Sequence, residues 1–146
     1  MRAHSLLVIV LLGKVLLAFA LEVKYVKYCG PEDKTLHYSI HPWPVLKPGQ
    51  YVHVNFTFTP QVDVYYSTIH YRVTTEDGTT ILKGTDEFCH LSPKFCSLPA
   101  GDTVSRTAKQ RVRNIPFGFK GTFKGKAELY NQDLVMWMCF EGEVQL

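Results

Sequence analysis

Along residues 50–60, QYVHVNFTFTP, apolar and polar side chains alternate strictly. Val52, Val54, Phe56 and Phe58 fall on one side, and Tyr51, His53, Asn55 and Thr57 on the other. A period of two belongs to a β-strand with one buried and one wetted face. STIHYRV (67–73) and TTILKG (79–84) flank Asp77-Gly78, a strong hairpin signal. TFKGKAELY (122–130) sets Phe123, Ala127 and Leu129 against Lys124, Lys126 and Glu128. After a turn at Asn131-Gln132-Asp133, LVMWMCFEGEV (134–144) reads as the final strand, with Met136, Met138 and Phe140 assigned to the inner side. The breaker-rich stretches HPWPVLKPGQ (41–50) and LSPKFCSLPAGD (91–102) separate these runs. No amphipathic helix, repeat or low-complexity tract stands out. Short strands at regular spacing predict one all-β domain, an antiparallel β-sandwich or barrel.

The first twenty residues, MRAHSLLVIVLLGKVLLAFA, do not share this pattern. A basic start, an apolar run and Ala18-Phe19-Ala20 have the form of a cleaved signal peptide. Lys14 in mid-run, and the shortness of that run, argue against a membrane anchor. The expected division is therefore a signal peptide at 1–20 and a single domain at 21–146. Loss of Arg2 and Lys14 takes two from the 16 basic side chains and leaves the 13 acidic ones, so the mature chain is nearly neutral. Its overall charge thus says little about partners. Secretion gives meaning to the cysteines and to the sequon Asn55-Phe56-Thr57, which marks Asn55 for glycosylation on an outer surface. Four cysteines in an oxidising compartment suggest two disulfides, with three possible connectivities. A local Cys89–Cys96 clip closes cheaply, and it leaves Cys29 to join Cys139.

Charge is unevenly spread. No acid occurs from Thr103 to Ala127, where Arg106, Lys109, Arg111, Arg113, Lys120, Lys124 and Lys126 gather. Within it, RNIPFGFKGTFKGK (113–126) mixes bulky apolar residues with glycine and positive charge. Basic grooves with aromatics bind single-stranded nucleic acid, but secretion removes such partners and none is expected. Enzyme signatures are missing. GTFKGKA has the wrong glycine spacing for a phosphate loop, no Gly-x-Ser-x-Gly elbow occurs, and oxidised cysteines leave no thiol nucleophile. Cysteine and histidine spacing also fails the zinc patterns, so neither metal nor cofactor is expected. The remaining signal is one of volume. Large, adaptable apolar residues (Phe56, Phe58, Phe119, Phe123, Met136, Met138 and Phe140) suit either a solid core or the lining of a cavity between splayed sheets.

VKYC near the mature start, HPWPVLKPGQYVHVNF, a mid-chain cysteine pair followed by LPAGD, and a final MWMCFEGEV together resemble the ML-domain lipid-recognition family. That family includes sterol carriers, ganglioside activators and phosphatidylglycerol/phosphatidylinositol transfer proteins. The resemblance implies a two-sheet, immunoglobulin-like β-sandwich with an apolar cavity between its sheets. It maps the family's end-to-end disulfide onto Cys29–Cys139 and its hairpin disulfide onto Cys89–Cys96. A further family disulfide near the second strand has no counterpart around His41 to Lys47. The cavity-mouth loop corresponds to NIPFGFKG, which implies lipid-gating roles for Ile115, Phe117 and Phe119.

The expected function is non-enzymatic: a secreted or endolysosomal protein that holds one sterol, phospholipid or glycolipid for transfer or presentation. Its cavity and mouth would be built from Val54, Phe56, Phe58, Ile69, Ile115, Phe117, Phe119, Phe123, Met136, Met138 and Phe140. Arg111, Arg113, Lys120 and Lys124 would meet anionic head groups, and a protein receptor is a second possible partner. The rival reading is a solid sandwich that recognises a receptor or glycan without lipid.

Overall fold

The computed structural model describes residues 21–91, 93–112 and 120–146. The described strands are β1 (Leu21–Tyr28), β2 (His37–His41), β3 (Val45–Leu46), β4 (Tyr51–Phe58), β5 (Ser67–Thr75), β6 (Thr80–Glu87), β7 (Val104–Arg111), β8 (Thr122–Asn131) and β9 (Met136–Gln145). They form two antiparallel sheets, a large one in the order β3-β1-β9-β8-β5-β6 and a small one in the order β2-β4-β7. A one-turn helix α1 (Phe88–Leu91) and a 3-10 turn (Pro93–Phe95) lie inside the Cys89–Cys96 loop.

The period-two stripe of β4 does what the pattern predicts. Val52, Val54, Phe56 and Phe58 are buried, while Tyr51, His53 and Asn55 are exposed. Asn55 lies on the outer face of the small sheet, where its Oδ1 accepts a hydrogen bond from Thr107 Oγ1 at 2.8 Å. Opposite β4, the large sheet buries Ile69, Val73, Phe123, Ala127, Leu129, Met138, Phe140 and Val144. These side chains join one continuous core. β7 escapes a pattern-based reading because its inward positions include Arg106 and Gln110, polar groups tolerated on a half-buried edge strand.

Both disulfides form with the expected partners, Cys29–Cys139 and Cys89–Cys96. The first closes a separation of 110 residues and binds the end of β1 to β9. In the chain-entropy account, such a cross-link removes about 4–5 kcal/mol of unfolded-state freedom.

Between β1 and β2 the chain crosses from the large sheet to the small one, and Asp33 fixes the crossing. Its Oδ1 accepts from Thr35 N (2.9 Å) and Thr35 Oγ1 (2.7 Å), and its Oδ2 from Thr59 N (2.8 Å) just beyond β4. Nearby, Tyr38 on the small sheet donates its hydroxyl to Val26 O on the large sheet at 2.9 Å. Burial alone would push the Asp33 carboxyl up, but its hydrogen bonds from Thr59 and Thr35 outweigh this and hold it below the usual carboxylate range.

A carboxylate with a lowered folded-state pKa contributes stability in full above its unfolded pKa, about 3.9, and loses it as pH falls through the folded value. Asp33→Asn is therefore expected to cost about 1–3 kcal/mol at neutral pH. It should also remove part of the loss of stability on acidification. Urea unfolding of both proteins between neutral pH and about pH 2 checks this, through a gap that narrows at the acid end.

Candidate functional site between the sheets

The inner face of the large sheet is uneven, and the unevenness follows from register. One cross-strand row reads Leu82, Val73, Gly125, Gly142, Val26 from β6 to β1. Gly125 and Gly142 are directly opposed and buried, so two adjacent strands present no side chain there. The next row reads Gly84, Tyr71, Ala127, Phe140, Tyr28. Glycine inside a strand weakens it and often marks a place where something else approaches the backbone closely.

The other half of the inter-sheet space is filled with rings. Phe140 makes edge contacts with Tyr28 (5.5 Å) and Tyr38 (5.3 Å) and a tilted contact with Phe56 (5.7 Å). Phe58 stacks on Phe95 (6.2 Å) and lies 6.0 Å from Trp137, while Phe88 meets both Phe95 (5.5 Å) and Trp137 (6.5 Å). Trp137 Nε1 donates to the buried Ser67 Oγ at 3.0 Å, which satisfies its one polar atom. Tyr28 stays protonated: burial, and then the nearby Asp33 carboxylate, push its phenol up to about 12. A crevice among Tyr28, Asp33, Phe58, Trp137 and Met138 measures about 10 Å3, room for a single water.

The ring contacts also align the sheets. Phe56 faces Phe140 and Phe58 faces Trp137, so Val54 lies at the level of Gly142 and Val52 at that of Val144. The small sheet carries Val54 with Ile40 and Ala108 in register at this level. The glycines thus leave a single bare row, beyond which Phe123, Val144, Val23 and Val52 are again buried toward the β7–β8 end.

At the β6–β7 side the sheets are not hydrogen-bonded to each other. There the inward positions are partly open. Leu82 is 39% exposed, and Asp86, Arg106, Ala108 and Gln110 are half-buried. Tyr71 lies against Gly84, where an added Cβ would collide with its ring. Burial, and then the charge and hydrogen bond of Asp86, push the Tyr71 phenol up. Arg106 is tied down by donating from Nε to Lys94 O at 2.7 Å. This side is thus apolar within and carries a mixed polar lip.

Of the residues singled out from sequence, Val54, Phe56, Phe58, Ile69, Phe123, Met138 and Phe140 are buried on the inner faces. Met136 is a correction. The register slips between Leu129 and Tyr130, so Met136 pairs with Tyr130 on the outer face and Trp137 takes the inner place beside Met138. A bulge of this kind breaks strict alternation, which is why period-two counting misplaced the residue. Arg111, Lys120 and Lys124 are exposed. Arg111 lies on the outer face of the small sheet and Lys124 on that of the large one, both toward the β7–β8 connection. Ile115, Phe117, Phe119 and Arg113 fall outside the described residues. Sequence reasoning missed Gly125, Gly142, Trp137, Val73 and the Tyr28–Tyr38 pair. The available signal was a glycine at an inward position of each of two successive strands. Among the described residues no cluster of metal-ligating side chains occurs, and no helix is long and apolar enough to cross a membrane.

Comparison with solved structures finds chicken MD-1 complexed with lipid IVa at a TM-score of 0.68 and 19% identity, over 86% of this chain and 89% of that one. A Niemann-Pick type C2 protein from Japanese carpenter ant matches at a TM-score of 0.55 and 12% identity, over 80% of this chain and 96% of that one. No curated protein sequence matches. The ML-domain family model matches residues 24–146, which takes in every strand from β2 to β9 and most of β1. Two sheets closed over one apolar core, a match across the whole domain and a shared architecture with these two proteins agree: the chain belongs to the ML-domain family.

Proposed function

We propose that this protein binds a single lipid, a sterol, phospholipid or glycolipid, between its sheets and carries or presents it without covalent chemistry. The carrying observation is the opposed pair Gly125–Gly142, facing Val54 and flanked by Val73 and Val26. A hydrocarbon chain laid there touches bare backbone and valine methyls, and replaces water at apolar surface. Each buried methylene is worth about 0.8 kcal/mol, so a stretch of ten or so outweighs the ordering cost of a flexible ligand. Membership in the ML-domain family, and the lipid IVa held by chicken MD-1, support the reading. The aromatic half serves as the closed floor. The polar lip of Tyr71, Asp86, Arg106 and Gln110 offers donors and acceptors to a head group. The apparent signal peptide, the disulfides and the sequon at Asn55 are consistent with work in the secretory or endolysosomal lumen.

In this reading Ile115, Phe117 and Phe119 gate the slot or dip into a bilayer. Arg111, Arg113, Lys120 and Lys124 then meet anionic head groups at about 1 kcal/mol each.

Filling the slot should abolish binding in steps. Gly142→Ala, Gly142→Val and Gly125→Leu are expected to reduce uptake of a fluorescent fatty acyl probe progressively, each with native circular dichroism. The reading fails if folded Gly125→Leu and Gly142→Val both load as wild type does. The gate is tested separately by transfer of a fluorescent phospholipid between vesicles. Phe117→Ala and Lys120→Glu/Lys124→Glu should each slow transfer several-fold, and the wild-type rate should fall with added salt. Unchanged transfer in both would remove 113–119 from the mechanism and leave the slot reading standing.

A further inference from the structure

The outer face of the large sheet carries a second feature, which borders the slot's lip at Tyr71. Register places Lys83 on β6, Arg72 on β5 and Lys126 on β8 directly beside one another in one cross-strand row. Adjacent strands lie about 4.8 Å apart, so three cationic side chains leave the sheet within about 10 Å. Like charges directly opposite each other oppose folding. Among the described residues, neither Arg72 nor Lys83 has a carboxylate within ion-pair distance or a side-chain hydrogen bond.

The acids that would relieve the row are committed elsewhere. Glu141, opposite Lys126 on β9, is held by Lys27 at 3.1 Å. Glu128 accepts the Tyr130 hydroxyl at 2.7 Å and reaches Lys126 only at 3.8 Å. The row borders a cleft of about 390 Å3, within the range of small-ligand sites, whose other walls include His70, Thr85 and Glu128.

We propose that this cleft binds an acidic sugar, a hexose unit bearing a sulfate or phosphate ester. The ester oxygens take the Lys83–Arg72–Lys126 row, where a guanidinium can clamp two oxygens at once. The ring hydroxyls meet Thr85, His70 and the Glu128 carboxylate, groups that a bare anion would not use and that a polyanion would find partly repulsive. A flat anionic membrane fits less well. Glu141 and Glu143 line the adjoining strand on the same face, and a plane lying over the basic row would lie over them too. The sequon at Asn55 is on the outer face of the other sheet, so a glycan there leaves the cleft clear.

The test is isothermal titration calorimetry on the full mature protein at low salt. Its four arms are glucose 6-sulfate, glucose 6-phosphate, glucose, and phosphatidylglycerol vesicles. The proposal predicts binding of at least one esterified sugar and none of glucose, the tighter of the first two arms naming the ester. Lys83→Gln, on an exposed edge, should weaken that binding about tenfold, and Arg72→Gln/Lys83→Gln about a hundredfold. Lys109→Gln, on the opposite sheet, should change it less than about twofold. Because the double variant removes repulsion, its Tm should hold or rise. Binding of neither esterified sugar, equal loss with Lys109→Gln, or binding to vesicles alone would overturn the proposal.

Discussion

The structure depends on the ring cluster that holds the two sheets together, and Phe140 is at its centre. Phe140 projects from β9 into rings contributed by Tyr28, Tyr38 and Phe56, and thereby touches both sheets at once. Each aromatic pair adds about 0.5–1.5 kcal/mol beyond its area burial. The cluster continues through Phe58, Phe95, Phe88 and Trp137 to the Cys89–Cys96 loop. Two residues further along β9, Gly142 brings no side chain to the space between the sheets.

From that constraint the functional reading follows. A sandwich packed throughout with valine and leucine could close down. Here rings fill one end, and Gly125 and Gly142 leave one bare row between the Ala127–Phe140 row and the Phe123–Val144 row. The bonds of Asp33 to Thr35 and Thr59, and that of Tyr38 to Val26, hold the β1–β2 side together, while the β6–β7 side has no ladder between sheets. In the proposed reading, the asymmetry gives an apolar ligand its way in. It would also separate the two proposed ligands: hydrocarbon inside the sandwich, and an acidic sugar on the cation row of the outer face, with Tyr71 at the border of both.

Much of this was legible in the chain, for physical reasons that differ element by element. β4 is half-buried along its full length, so its alternation reads directly as two faces, and the sequon falls on the wet one. The disulfide pairs followed from the short Cys89–Cys96 separation, from the two cysteines it leaves, and from the family resemblance. β7 was illegible because an edge strand can keep Arg106 and Gln110 at inward positions, which erases the apolar period. The helix α1 is only one turn and is shaped by its disulfide, so no periodicity could announce it. Met136 and Trp137 exchanged places through a bulge, a feature of pairing rather than of one strand's sequence. The glycines of the slot were visible as residues but not as a pair. Their opposition depends on the β8–β9 register, which no single segment encodes.

The central claim is that a hydrocarbon chain lies over Gly125 and Gly142 and not among the rings. Intermolecular nuclear Overhauser effects test it most directly, measured on methyl-labelled protein loaded with a fatty acyl ligand. The account predicts contacts from the chain to the methyls of Val54, Val73 and Val26 and to the glycine Hα protons, with none to Met138 or the Trp137 ring. Contacts centred on Trp137 and Met138, or a bound chain that reaches none of the three valines, would contradict it.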